Sequence, residues 1–164
     1  SFYGSFGGRP ALLACVSEAC DRKLGGRGAS AVSYGSSFIR AGPRGLNVTI
    51  ITHELSHIEL HRRVGVWRLM AGAVPAWFDE GTAVIVSDDE RYLKPGATGA
   101  GRCMVQPAGA LPAGRFEWAG VAGRTPGLYA QAACRVMEWM DAHGGKAGLA
   151  TALDETGDGK RKLP

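Results

Sequence analysis

No stretch of the sequence approaches the roughly 18 consecutive apolar residues that a membrane-spanning helix needs, so no integral membrane segment is expected. Ser1 to Pro10 has no charged segment followed by an apolar one, and therefore does not read as a signal peptide. A one-sided charge field is also missing. The net charge of +4 and pI near 9.0 come from scattered Lys and Arg, with one tight cluster at Lys160, Arg161 and Lys162. Nucleic-acid recognition normally needs a basic stripe with groove-entering elements, so no nucleic-acid partner is expected and the cluster reads as a solvated tail. Internal repeats and linker-like segments are absent too. What remains is 164 residues, 45% of them hydrophobic, enough to bury one core, and a single domain over residues 1–164 is expected.

Cysteine is sparse, and none of the four lies in a Cys-x-x-Cys pair, which excludes a zinc ribbon. An even set, Cys15, Cys20, Cys103 and Cys134, allows two disulfides in three connectivities, with four reduced, buried thiols as the alternative. Cys15 with Cys20 and Cys103 with Cys134 is the favoured pairing, because the first two are close enough in sequence to meet across one turn. Disulfides imply an oxidising compartment. Together with the missing initiator Met, read as removal of a leader or upstream segment, they carry the expectation of an exported, periplasmic or secreted protein.

Pro10 to Val16 is small and apolar and reads as a buried strand, leading to a short helix capped by Ser17. Ala31 to Arg40, with Val32, Tyr34, Phe38 and Ile39, predicts one or two short strands before a turn at Gly42, Pro43 and Gly45. Asn47 stands at an N-cap position ahead of Val48 to Val64, a stretch free of Gly and Pro that is the best helix in the chain. A second helix is expected from Pro75 through Ile85, and a third from Thr125 and Pro126 to Gly144 and Gly145. Between Pro95 and Pro126 the Gly, Ala and Pro content predicts a long loop, either a functional cover or mobile. Asp154, Thr156, Asp158 and Gly159 echo the opening of a calcium loop, but its bidentate Glu would fall beyond Pro164, so a polar terminal loop is expected.

Chemistry concentrates in His53-Glu54-Leu55-Ser56-His57, inside the strongest helix. Imidazoles four residues apart project from one face about 6 Å from each other, a span that one zinc ion bridges. Glu54 is then beside the metal and not on it, placed to take a proton from the water that zinc activates. A pair of helix histidines with a solvated Glu between them is the non-functional alternative. A hydrolytic zinc also needs a third protein ligand. Glu80 and Asp79, in Trp77-Phe78-Asp79-Glu80-Gly81-Thr82-Ala83, are equally good donors, and spacing does not separate them. His61 continues the series, but on a continuous helix it lies about 12 Å from His53, too far to share an ion, and it is expected to face solvent.

The two motifs, HELSH followed by WFDEGTA, resemble the gluzincin metallopeptidases, in which an HExxH helix is followed by a helix bearing Trp-x-x-Glu-Gly-x-Ala. The likeness covers Val48 to about Val86. It implies that Glu80 is the third ligand, that one Zn2+ is held per chain, and that the substrate is a peptide or protein. An α+β, zincin-like fold is implied as well, with a small N-terminal sheet on the HExxH helix and further helices after it. Two differences stand out: 22 residues separate His57 from Glu80, more than is usual in the aminopeptidases of this clan, and Val84 occupies the place where thermolysin-like members carry an Asp that orients the first histidine. Some other group must then hold that ring. The resemblance further implies an edge strand near Ser36 to Arg40 for an extended substrate, and a Tyr after the third ligand as oxyanion donor, for which Tyr129 is the candidate, with a buried structural Tyr as the alternative. The function these features predict is a zinc-dependent peptidase with Glu54 as general base; the alternative is a non-catalytic zincin-like zinc-binding or interaction module.

Overall fold

A computed structural model describes residues 2–164. The chain runs β1 (Ala11–Ala14), α1 (Glu18–Lys23), β2 (Ala31–Tyr34), β3 (Phe38–Ala41), α2 (Val48–Val64), α3 (Val66–Met70), α4 (Ala76–Val86), α5 (Arg115–Val121), α6 (Leu128–Ala142) and α7 (Gly145–Gly157). The architecture is α+β: a small three-stranded sheet and a larger helical part. No helix among the described residues is long and apolar enough to cross a membrane.

In the sheet, β3 is the middle strand, parallel to β1 with Ala11 opposite Phe38, and antiparallel to β2 with Ala31 opposite Ala41. Ile39, Ala41 and Ala31 pack on Ile58 of α2, with Ile50, Ile51 and Leu55 at the margin. β2 and β3 are thus covered by α2. All four residues of β1 are exposed, contrary to the buried strand expected there, because β1 lies on the far side of β3 from β2 and its apolar run stays open.

On its other side α2 joins the main core, where Leu60 and Val64 meet Trp77 and Phe78 of α4, Val136 and Met140 of α6, and Leu149 and Leu153 of α7. α4 lies directly against the backbone of α6 at Gly81, where an added Cβ would sit 2.5 Å from the carbonyl oxygen of Ala132. Only glycine permits that contact.

Three helices go beyond the sequence reading: the short α3, directly after Gly65, and α5 and α7. Within the expected loop, α5 forms around Trp118, which is 3% exposed and anchors the helix to the core. Asp154 and Thr156, expected in a polar terminal loop, belong to α7, whose buried Leu149, Ala152, Leu153 and Thr156 follow a helical spacing. Cys15 lies beside Cys20 and Cys103 beside Cys134 in disulfide pairs, with Cα separations of 5.4 and 5.2 Å, in the connectivity expected. Paired thiols of this kind are consistent with an oxidising location.

Candidate metal centre

α2 starts where its cap dictates: the Asn47 side-chain oxygen accepts from the N–H of Ile50 at 3.0 Å. Seventeen residues without Gly or Pro then place His53, His57 and His61 at successive turns of one face. The rings of His53 and His57 meet edge to face with centroids 4.9 Å apart. α4 crosses this face, held by Trp77 and Phe78 in the core and by the glycine contact with α6.

That crossing brings Glu80 to both imidazoles. Its Oε2 lies 3.3 Å from Nε2 of His53 and 3.7 Å from Nε2 of His57. The three residues offer ligand atoms all within 4.8 Å of one another. Asp79, next in the chain, faces elsewhere. Its Oδ1 accepts from Nδ1 of His57 at 2.7 Å, and its Oδ2 takes Nε2 of His61 at 2.7 Å and Nη1 of Arg115 at 2.9 Å. A carboxylate only accepts, so His57 carries a proton on Nδ1 and its Nε2 is the atom turned toward Glu80.

The charges are mutually adjusted. Burial opposes the charged forms of all three central groups, and their attraction to one another prevails. His57 is raised well above the ordinary histidine value by Asp79 and Glu80. Asp79 is held well below the carboxylate range by His57 and His61, and Glu80 is held down to about 2 by His57 and His53. A cation binding at Nε2 of His57 therefore displaces a proton.

Glu54, 7% exposed, makes no side-chain hydrogen bond or ion pair among the described residues. Its neighbours are the walls of a cavity of about 610 Å³, lined also by His53, His57, Glu80, Tyr129, Trp118 and residues of β2. Tyr129 sits at the start of α6, stacked on Tyr92 at 5.1 Å and edge-on to Trp118 at 5.3 Å and to His53 at 6.4 Å. Burial, reinforced by Glu80, raises its phenol pKa, so the hydroxyl remains a neutral donor.

The structure thus gathers His53, Glu54, His57, Glu80 and Tyr129 around one cavity. His61, expected to face solvent, does not: its side chain is 11% exposed and bonded to Asp79, because α4 packs over the turn where solvent was expected. The edge strand is also reassigned. Ser36 to Arg40 leads into and forms most of β3, which is paired on both sides, whereas β2 has a single partner and borders the cavity through Ala31, Val32 and Ser33. Asp79 as the group that orients a histidine, and Arg115 and Trp118 as cavity residues, escaped the sequence reading. The Asp-Glu step offered a signal for the first; α5 offered none for the others.

Among the described residues a second group, His57, His61 and Asp79, also has ligand atoms within 4.8 Å of one another. Arg115 already places a cation on that carboxylate, which opposes a metal there. The set His53, His57 and Glu80, two imidazole nitrogens and one carboxylate, suits zinc and leaves room in the cavity for a fourth donor. Comparison with known proteins finds no matching family model, no matching curated protein and no matching solved structure.

Proposed function

We propose that the protein is a zinc-dependent hydrolase, a metallopeptidase of gluzincin type built on a zincin-like fold and working in an exported location. The observation that carries this reading is a buried, unpaired Glu54 on the same cavity as three converging metal donors. A purely structural zinc site has no use for such a carboxylate. His53, His57 and Glu80 would hold the ion. When bound, zinc supplies polarisation of the scissile carbonyl and a water acidic enough to attack at neutral pH.

The chain's own groups do the rest. Glu54 takes the proton of the attacking water and returns it to the departing amine. The Tyr129 hydroxyl donates to the oxygen that gains charge at the carbonyl carbon. Asp79 fixes the ring of His57 through Nδ1, so that Nε2 stays aimed at the centre. The open edge of β2 offers backbone groups to an extended peptide lying along the cavity.

The test is zinc content and hydrolysis of a mixed peptide library, for wild type, Glu54→Gln and Tyr129→Phe in parallel. Expected are one zinc per chain in all three, cleavage abolished in Glu54→Gln, and turnover lowered at unchanged zinc content in Tyr129→Phe. Zinc with no cleavage by wild type would transfer the site to a binding module, and no zinc at all would remove the proposal.

A further inference from the structure

The cavity around the candidate centre has an uneven charge. Arg115, at the start of α5, donates through Nη1 to Asp79, which two histidines hold in place, so the guanidinium is anchored at the cavity wall. Its Nη2 is buried without a hydrogen-bond partner among the described residues, while the indole N–H of Trp118, three residues further along the helix, faces the Tyr129 hydroxyl. Buried donors are nearly always paired in folded proteins. The Nη2 of Arg115 is one that is not, and its residue lines the cavity. Arg27, exposed in the loop before β2, lines the same cavity and takes part in no ion pair among the described residues.

Against these two guanidiniums the lining offers the carboxylates of Glu54 and Glu80, and Glu80 is engaged by the imidazoles. The cleft continues past Tyr92 to Arg91 and Arg44, but there three carboxylates, Asp88, Asp89 and Glu90, outnumber the two guanidiniums, and Arg91 is paired with Asp89 at 2.6 Å. Of the two guanidiniums on the cavity around the candidate centre, Arg27 alone has no carboxylate partner among the described residues, while Arg115 shares Asp79 and keeps Nη2 free.

We infer that the cavity around the candidate centre binds a carboxylate through Arg115 and Arg27, and so selects peptides with an acidic group close to the bond held at the centre. The choice of peptides rests on the peptidase reading; the carboxylate site itself does not. Two sources share this chemistry, a free C-terminus and an Asp or Glu side chain. Arginine suits either, because its planar fork meets both carboxylate oxygens.

The experiment uses two matched pairs of fluorescent peptides, one pair differing as C-terminal acid or amide, the other as internal Glu or Gln. Binding is read by fluorescence anisotropy on zinc-loaded Glu54→Gln protein and on metal-free wild type, and kcat/KM is read on zinc-loaded wild type. The metal-free arm separates a carboxylate captured by zinc from one held by the arginines. In at least one pair the acidic member binds about five- to tenfold more tightly, and the pair that discriminates identifies the source. That preference drops below about twofold in Arg27→Gln and reverses in Arg27→Glu, with Arg115→Lys, which keeps the charge on Asp79, losing part of it. Equal binding within both pairs overturns the inference, as does a preference that needs zinc or survives both Arg27→Glu and Arg115→Lys. Cleavage by wild type without acid preference leaves the peptidase reading standing and this inference fallen; acid preference in binding without cleavage does the reverse.

Discussion

Neighbouring carboxylates on α4 meet opposite nitrogens of the same ring: Asp79 takes Nδ1 of His57 at 2.7 Å while Glu80 faces Nε2 at 3.7 Å. Residues adjacent in a helix point about 100° apart, so one of the pair can reach the centre while the other passes behind the histidine. His53, Glu54 and His57 were legible because a single helix fixes their mutual spacing. The division of labour between Asp79 and Glu80 was not, since it depends on where α4 crosses α2, which no local pattern states. His61 was misjudged for the same reason. Asp79→Asn keeps the shape and removes the charge; zinc affinity, measured by competition with a chromophoric chelator, is expected to fall on the order of ten- to a hundredfold. Unchanged affinity in a folded variant would show that Asp79 is packing material and does not orient His57.

At the scale of elements, the Glu-Gly step of α4 joins two requirements in consecutive residues. Glu80 has to face α2, and α4 has to lie against α6 closely enough that a Cβ at position 81 would stand 2.6 Å from the carbonyl carbon of Ala132. The obstruction is backbone, which cannot swing aside as a side chain does. Gly81→Ala is therefore expected to lower the stability of the metal-free protein by about 1–3 kcal/mol, seen in denaturant unfolding, and to weaken zinc binding as Glu80 is pushed away from the imidazoles. A variant as stable as wild type would mean that α4 and α6 are not locked at this point. Sequence revealed α2 because a cap, a clean length and a glycine stop all agree. α7 was hidden by its own composition, since Ala and Gly fill 6 of its 13 positions and leave apolar periodicity little amplitude, and α5, with 7 residues, is too short to show a period; the anchoring Trp118 and Leu149 stand out only once their neighbours are known.

Across the whole molecule, one carboxylate ties distant segments to the central helix. Glu59 of α2, 0% exposed, accepts from the backbone N–H groups of Gly7 and Gly8 and from Arg62 and Arg63, while Arg63 reaches on to Asp154 of α7 and the carbonyl of Tyr3. Burial alone would raise the Glu59 pKa, but the two arginines outweigh it and hold the carboxyl down to about 2, against an ordinary value of 4.5. A depressed carboxylate stabilises the fold fully above its unfolded value and loses that contribution as pH falls through the folded one, because the unfolded chain takes up the proton first. The window for Glu59 thus runs from 4.5 down to about 2, and the contribution lost across it is on the order of 2 kcal/mol. Asp79 and Glu80 are depressed as well and lose stability over the same acid range, so wild type alone cannot isolate the clamp. The comparison with Glu59→Gln can. In chelator-treated protein, the stability gap between the two, measured by urea unfolding, should be widest near neutrality and shrink steadily as the pH approaches 2. A gap that stays constant down to acid pH would mean that shape and hydrogen bonding, not the charge of Glu59, fasten the N-terminal segment to α2. A gap that closes would identify the charge as what holds residues 2–8 over the helix that carries the candidate centre.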